Sequence, residues 1–231
     1  MDVTALLFAD SRFPGGGHAH SGGVEEAAAR GLLRTEDDLA PFLHGRLRTA
    51  GTLAATFAAA AAHLAARGAT SWSTVDAELD ARTPSAAQRA ASRAQGRATA
   101  RAVSVVPIVD SGCGRSLRVL LAGLPRPHHA VVLGAAVAAF GGTPDGAALA
   151  AAYLSVSGPA SAAVRLLGLD PLRVNGIVTA LAPELRAVAA DAAACAGLDP
   201  AELPAPSAPG LDVLAEEHDR HHREEVRLFA S

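Results

Sequence analysis

AVVLGAAVAAF, from Ala130 to Phe140, contains no charged side chain and no side-chain hydrogen-bonding group. A helix that is apolar on every side has no face to offer water, so this segment belongs at the centre of a helical bundle. On its N-terminal side, PRPHH (Pro125–His129) reads as a turn. On its C-terminal side, Thr143-Pro144-Asp145 supplies a cap followed by a first-turn proline, the signal that opens a new helix. Asp170-Pro171 repeats that signal, and Pro183-Glu184 marks a further start. Gly158-Pro159 is expected to kink or divide the helix between the first two caps.

Further toward the N-terminus the helical spacing continues. Thr35 precedes Glu36, Asp37 and Asp38, which suit the positive end of a helix dipole. Behind them Leu39, Phe42, Leu43, Leu47 and Ala50 share one face, and the pattern runs on through Phe57 and Leu64 to a stop near Gly68, with a kink expected at Gly51. Trp72, Val75 and Leu79 line one side of a shorter helix. Thr83-Pro84 reads as the cap of the next helix, which carries Arg89, Arg93, Arg97 and Arg101 at four-residue intervals. That stripe reads as a solvated, salt-bridged face, with phosphate or an acidic partner as the alternative. VSVVPIV (Val103–Val109) is β-branched, but a lone strand has nothing to pair with, so it reads as a helix end and connector.

Composition agrees with an all-α fold. Of 231 residues, 50% are hydrophobic but only 3% aromatic, so alanine, leucine and valine build the core. All 20 basic residues are arginine. The lack of lysine excludes a Walker A loop, a Schiff-base lysine and the kinase lysine. A net charge of −3 gives no general attraction to nucleic acid or anionic membrane. Cys113 and Cys195 form no CxxC pair, and the default reading is a reduced, cytoplasmic compartment. Asp2 stands where a secretory leader would be basic, and the longest uncharged apolar runs fall short of the ~20 residues that span a bilayer.

Two segments break the helical pattern. DSRFPGGGHAHSGGVE (Asp10–Glu25) holds five glycines and Pro14 and cannot be regular helix. It is either a linker or a loop around which the rest packs. After it, Val24, Ala27, Ala28 and Leu32 keep an apolar face, with Glu26 and Arg30 pairing on the other. From Gly197 the character changes again. Four prolines (Pro200, Pro204, Pro206 and Pro209) describe an extended linker that leads to the charged tail EEHDRHHREEVRLFAS. The expected organisation is a helical domain over 1–196 and a linker with a flexible tail over 197–231, in a bundle of about ten helices.

Chemistry read from residues alone leaves alternatives open. His18 and His20 form an HxH pair in the loop, and His218, His221 and His222 would share one face of a helical tail. Zinc or nickel could bind there with help from Glu217 or Glu225. No HExxH occurs, and hydrogen bonding within the turn is the simpler role for the loop pair. The glycines could cradle an anion, but no preceding strand or GxGxxG supports this. Ser21 beside His20, and Cys113 in the turn-like SGCGR, show no nucleophile geometry. On chemistry alone this is a helical interaction protein.

Four motifs in order add a resemblance that covers nearly the whole chain. Asp10, Ser11, Phe13, Pro14, Gly16, His20, Ser21, Gly23 and Glu25 meet the pattern D-S-x-F-P-x-G-x-(aromatic)-x-H-S-x-G-L-E. Ser92, Arg93, Gly96 and Arg97 match S-R-x-x-G-R. AAVRLLGL with Arg165, followed by Gly176, matches a third motif, and RLFAS with Arg227, Leu228, Phe229 and Ser231 the last. In these respects the chain resembles the urease accessory protein UreF family. It departs at His18, which takes the aromatic slot, at Val24 for leucine, and at Leu-Gly-Leu-Asp after Arg165.

The resemblance implies an all-α, cytoplasmic, non-enzymatic maturation chaperone with no cofactor of its own and no nucleic-acid or membrane partner. Such proteins dimerise, bind UreD (also called UreH), and recruit the GTPase UreG. The assembly inserts nickel into apo-urease and modulates GTP use by UreG. By the same resemblance the partner-binding residues are Phe13, Pro14, Gly16, His18, His20, Ser21, Glu25, Arg93, Arg97, Arg165, Arg227, Leu228 and Phe229, with Arg227 approaching the loop near His18. The alternative is a metal-binding protein or metal-dependent hydrolase that uses His18, His20 and the tail histidines.

Overall fold

The central segment forms α8 (His129–Ala139), in which every residue from Ala130 to Ala139 is buried. It packs most extensively on α4 (Thr52–Ala66), which is also alanine-rich and buries Ala55, Ala58, Ala59, Ala61, Ala62 and Ala65. Small side chains let the two backbones approach closely. At Gly134 they approach so closely that a Cβ would overlap the Ala58 carbonyl oxygen. The third central helix is α9 (Pro144–Leu167), which packs against both.

The computed structural model describes residues 3–17 and 20–228, with side chains described through His222. The remaining helices are α1 (Val3–Ala9), α2 (Val24–Ala29), α3 (Glu36–Arg46), α5 (Ser73–Ala81), α6 (Ala86–Ser104), α7 (Gly112–Gly123), α10 (Pro171–Ala180), α11 (Ala182–Ala194) and α12 (Pro209–Leu228). The fold is all-α, with no strand among the described residues. One apolar cluster gathers Phe57, Trp72, Val75, Leu117, Leu120 and Leu133 around α4 and α8. A second gathers Leu33, Leu39, Leu43, Leu47, Val156 and Leu185 around α3, α9 and α11. Ala58 and Ala61 serve the first cluster and Ala55 and Ala59 the second, so α4 is the shared wall between them.

Caps follow local chemistry. Asp38 accepts from the Thr35 amide (2.9 Å) and hydroxyl (2.9 Å) at the start of α3. Thr143 Oγ1 accepts from Gly146 N at 3.0 Å, and Asp170 Oδ1 from Leu172 N at 2.9 Å. The cap of α6 is Ser85 rather than Thr83, its Oγ accepting from Gln88 N at 3.1 Å. SGCGR is the start of α7 rather than a free turn, because Ser111 Oγ accepts from Gly114 N at 3.0 Å.

Four further details depart from the sequence reading or refine it. Leu32 is 65% exposed and Leu33 is buried in its place, because Gly31 (φ +68°) ends α2 and rotates the chain. Glu26 pairs with Arg30 as expected but is itself buried, at 3% exposure. Gly158-Pro159 does not divide α9, which runs through it. At Gly51 the expected irregularity is a π turn, Leu47–Gly51, so α3 and α4 form one continuous helical stretch from Glu36 to Ala66.

That stretch and α9 are long and apolar enough to cross a membrane by length and composition, although the sequence runs read shorter. More than half of each apolar window is buried inside the protein, as expected of core helices. In the 197–231 segment, Pro200–Glu202 is a 3₁₀ turn, Leu203 is buried, and residues 204–208 have no regular structure. Beyond them α12 lies against α6 and α2, with Leu214 buried.

Candidate interaction surface at the glycine-rich loop

The loop, described over 10–17 and 20–23, is built locally, and its first part is seated on α6. Asp10 accepts from the Arg12 amide at 2.8 Å and from its guanidinium at 2.6–3.2 Å. Those hydrogen bonds hold the Asp10 carboxyl down at about 2. Phe13 N donates to Asp10 O (2.9 Å) and Gly15 N to Phe13 O (2.7 Å), which closes the turn at Pro14. The Phe13 ring packs edge-on against Phe8, and Phe8 tilts against Phe140, so the loop is pinned to the end of α8. A Cβ at Gly15 would meet Thr99, at Gly16 (φ +75°) Ala98, and at Gly17 Gln95, all at 3.0–3.2 Å. The glycines are thus the seat of the loop on one face of α6.

Helix α12 covers the other side of this region through polar contacts. Glu216 Oε1 accepts from Ser85 Oγ at 2.6 Å and from Ala87 N at 3.0 Å, and Asp212 Oδ1 from Gln88 Nε2 at 3.0 Å. Arg30 reaches Glu217 at 3.1 Å, and His221 Nδ1 lies 3.2 Å from Glu26 Oε2. Burial alone would raise the Glu26 pKa, but the Arg30 and His221 hydrogen bonds outweigh it and hold the carboxyl below its ordinary value. Between loop, α2, α6, α9 and α12 lies a cavity of about 590 Å³ that His20, Ser21, Glu25, His218 and His222 help line. The loop and tail that the sequence separates by some two hundred positions therefore share one surface.

The expected site residues divide into groups. His20, Ser21 and Glu25 line the cavity together, whereas Phe13, Pro14 and Gly16 lie on the loop outside that lining, Phe13 against Phe8 and Gly16 against α6. Arg97 is half-buried on α6, and Arg165 is exposed in the last turn of α9, away from the cavity lining. His18 and Phe229 lie outside the described residues. The backbone of Arg227 and Leu228 ends α12, but their side chains lie outside the described set.

Arg93 faces inward. It bonds Asp76 Oδ2 at 3.0 Å, Asp80 Oδ1 at 2.7 Å and the Arg126 carbonyl. Sequence reasoning missed the network it belongs to. His128 is fully buried, its Nδ1 2.9 Å from Ser92 Oγ and its Nε2 3.0 Å from Asp80 Oδ1, while its amide donates to Asp76 Oδ1 at 2.8 Å. Burial first and Arg93 second hold the His128 pKa down, so Nε2–H donates to Asp80 and Nδ1 accepts from Ser92. Ser92 Oγ also accepts from His129 N at 3.3 Å. With Asp80 balanced by Arg93 and the imidazole sealed from solvent, this Ser–His–Asp chain clasps α5, α6 and α8. The signal in the sequence was Asp76 and Asp80, one turn apart on α5.

The tail histidines do not converge. His218 and His222 stack at 5.9 Å, whereas His221 turns to Glu26. Glu26, Glu217 and His221 place one ligand atom each within 4.8 Å of one another. Arg30 pairs with both of those carboxylates and Arg220 with Glu217, so the cluster already balances its charge.

Comparison with known proteins fits this architecture. A family model described as UreF matches residues 33–182. The urease accessory protein UreF of Mycolicibacterium vanbaalenii is 45% identical over 230 residues, 99% of this chain and 98% of that protein. The protein of the same name from Mycobacterium sp. strain JLS is 44% identical over the same length, and that of Mycobacterium tuberculosis strain H37Rv is 44% identical over 218 residues, 94% of each chain. With more than half of its length matched by the family model and 44–45% identity to these relatives over nearly its whole length, the chain belongs to the UreF family of urease accessory proteins.

Proposed function

We propose that this chain is a non-catalytic maturation scaffold for urease. In this reading it dimerises in the cytoplasm, holds UreD/UreH, recruits the GTPase UreG, and supports nickel insertion into apo-urease while modulating GTP use by UreG. Residues 1–196 are the helical body, and 197–231 carry the partner-binding segment. The observation that carries the reading is the joint surface of glycine-rich loop and α12, in a chain related end to end to urease accessory proteins. Phe13, Pro14, Gly16, His20, Ser21 and Glu25 form its loop side, and Arg97 extends it along α6. Arg165 and the terminal Arg227-Leu228-Phe229 complete the proposed contact set, with His18 on the loop. Arg93 acts from within, by holding α6 in place.

Such a scaffold needs no nucleophile and no resident cofactor. It needs a surface whose shape survives partner exchange. Clasping α5, α6 and α8 through His128, and seating the loop through glycines, provides that rigidity. Co-purification tests it: the full chain with UreD from the same genome should elute as a complex. Ser21→Arg, which places a bulky cation on the cavity rim, should weaken that complex by about tenfold or more. An unchanged complex would count against the loop as the contact surface.

A further inference from the structure

The cavity beneath α12 contains a cation with no counter-charge. Arg46 ends α3, immediately before the π turn, and its guanidinium helps line the cavity. Its Nε donates to the Ser155 carbonyl at 2.8 Å. That carbonyl is the one Pro159 leaves without its i+4 amide donor, so the arginine repairs α9 at the proline. Its NH1 group donates to the Gly22 carbonyl at 2.8 Å. Gly22 permits this approach: at φ +64°, a Cβ there would lie 2.7 Å from Pro159 Cγ and 3.1 Å from Arg46 Cζ.

Both partners are neutral carbonyls. No carboxylate of the described residues lies within 4.0 Å of the guanidinium, and its NH2 group donates to none of them. Four acids line the same cavity: Glu26 pairs with Arg30 and His221, Asp212 with Gln88, Glu25 lies nearest to His218, and Asp219, like the others, forms no ion pair with Arg46. Burial pushes the Arg46 pKa down to about 10, which leaves it charged at neutral pH. The guanidinium is half-buried, with its Nε and NH1 spent on carbonyls; a planar fork with an NH2 donor to spare suits an oxyanion.

The cavity offers the remaining donors. His129 lines it and is held neutral, its pKa pushed to about 4 by burial and by His20, so it hydrogen-bonds without adding charge. The Gln95 amide lines it too. We propose that this cavity binds a small dissolved oxyanion, of the phosphate or carboxylate class, anchored on Arg46 NH2 and hydrogen-bonded by His129 and Gln95. The volume of about 590 Å³ accommodates such an ion with room for bridging water.

Equilibrium dialysis of the full chain against inorganic phosphate and against acetate, at constant ionic strength set with sodium chloride, tests this. One of the two should bind saturably, with about one ion per chain and a Kd below roughly 10 mM. The preferred ion distinguishes a phosphate source from a carboxylate source. Arg46→Gln should weaken binding by about tenfold or more, and the exposed Arg186→Gln should not. Should Arg46→Gln fail to fold by circular dichroism, Arg46→Lys takes its place and should bind at least about threefold more weakly, because a point charge lacks the fork. No saturable binding of either ion, or unchanged affinity in a folded Arg46 variant, overturns the proposal.

Discussion

Gly134 and Arg93 carry their roles in opposite ways, one through an absent side chain and one through a fully used one. At Gly134 the Ala58 carbonyl fills the space that a Cβ would need. Gly134→Ala should therefore destabilise the fold by about 1–3 kcal/mol in urea denaturation, despite the better helix propensity of alanine. Arg93→Ala would strip Asp76, whose side chain is 8% exposed, of its cation. The expected loss is about 2–4 kcal/mol, whereas Arg97→Ala should stay within about 0.5 kcal/mol, since no described residue bonds its side chain. His129 adds a pH dependence. Its folded pKa of about 4 lies below the ordinary histidine value, so the unfolded chain binds the extra proton first as pH falls. Stability is full above about pH 6.5 and declines toward pH 4, by about 1–3 kcal/mol for this partly exposed group. A His129→Gln chain that loses as much stability over that interval would contradict the assignment.

Among the elements, α12 is where sequence and structure inform each other most. Its charged, histidine-rich text reads as a solvated tail, because Asp212, Glu216 and Glu217 find their partners far away in sequence, at Gln88, Ser85 and Arg30. Only Leu211 and Leu214 hint at a buried face. Leu214→Asp should release the helix, raise proteolytic cleavage in the unstructured 204–208 segment, and leave the α4–α8 core with little change in far-ultraviolet dichroism beyond the loss of α12. Unchanged cleavage would show that the polar contacts alone hold it. The end of α2 was harder to read. Leu32 and Leu33 both fit an apolar face, and only the positive φ at Gly31 decides that Leu33 goes in. Pro159 was misleading for a related reason: a proline breaks a helix only if nothing else satisfies the freed carbonyl, and Arg46 does so from another helix.

For the whole molecule, the all-α class was legible because apolar periodicity and cap chemistry are local. AVVLGAAVAAF could only be central, and Thr143 and Asp170 could only be caps. The convergence of loop, α6 and α12 was not legible from spacing or composition, since the residues that meet there lie at opposite ends of the chain. The family resemblance implied only that Arg227 approaches the loop near His18, a contact that lies outside the described side chains. In the proposed function, loop and tail helix form one partner-binding surface on a rigid body. The most direct test is the affinity of the full chain for UreD, compared with Leu214→Asp and Ser21→Arg in isothermal titration calorimetry. A complex that each variant weakens by about tenfold or more, while the α4–α8 core stays folded, is the expected result. Equal affinity in all three proteins, or no complex with the unaltered chain, would contradict it.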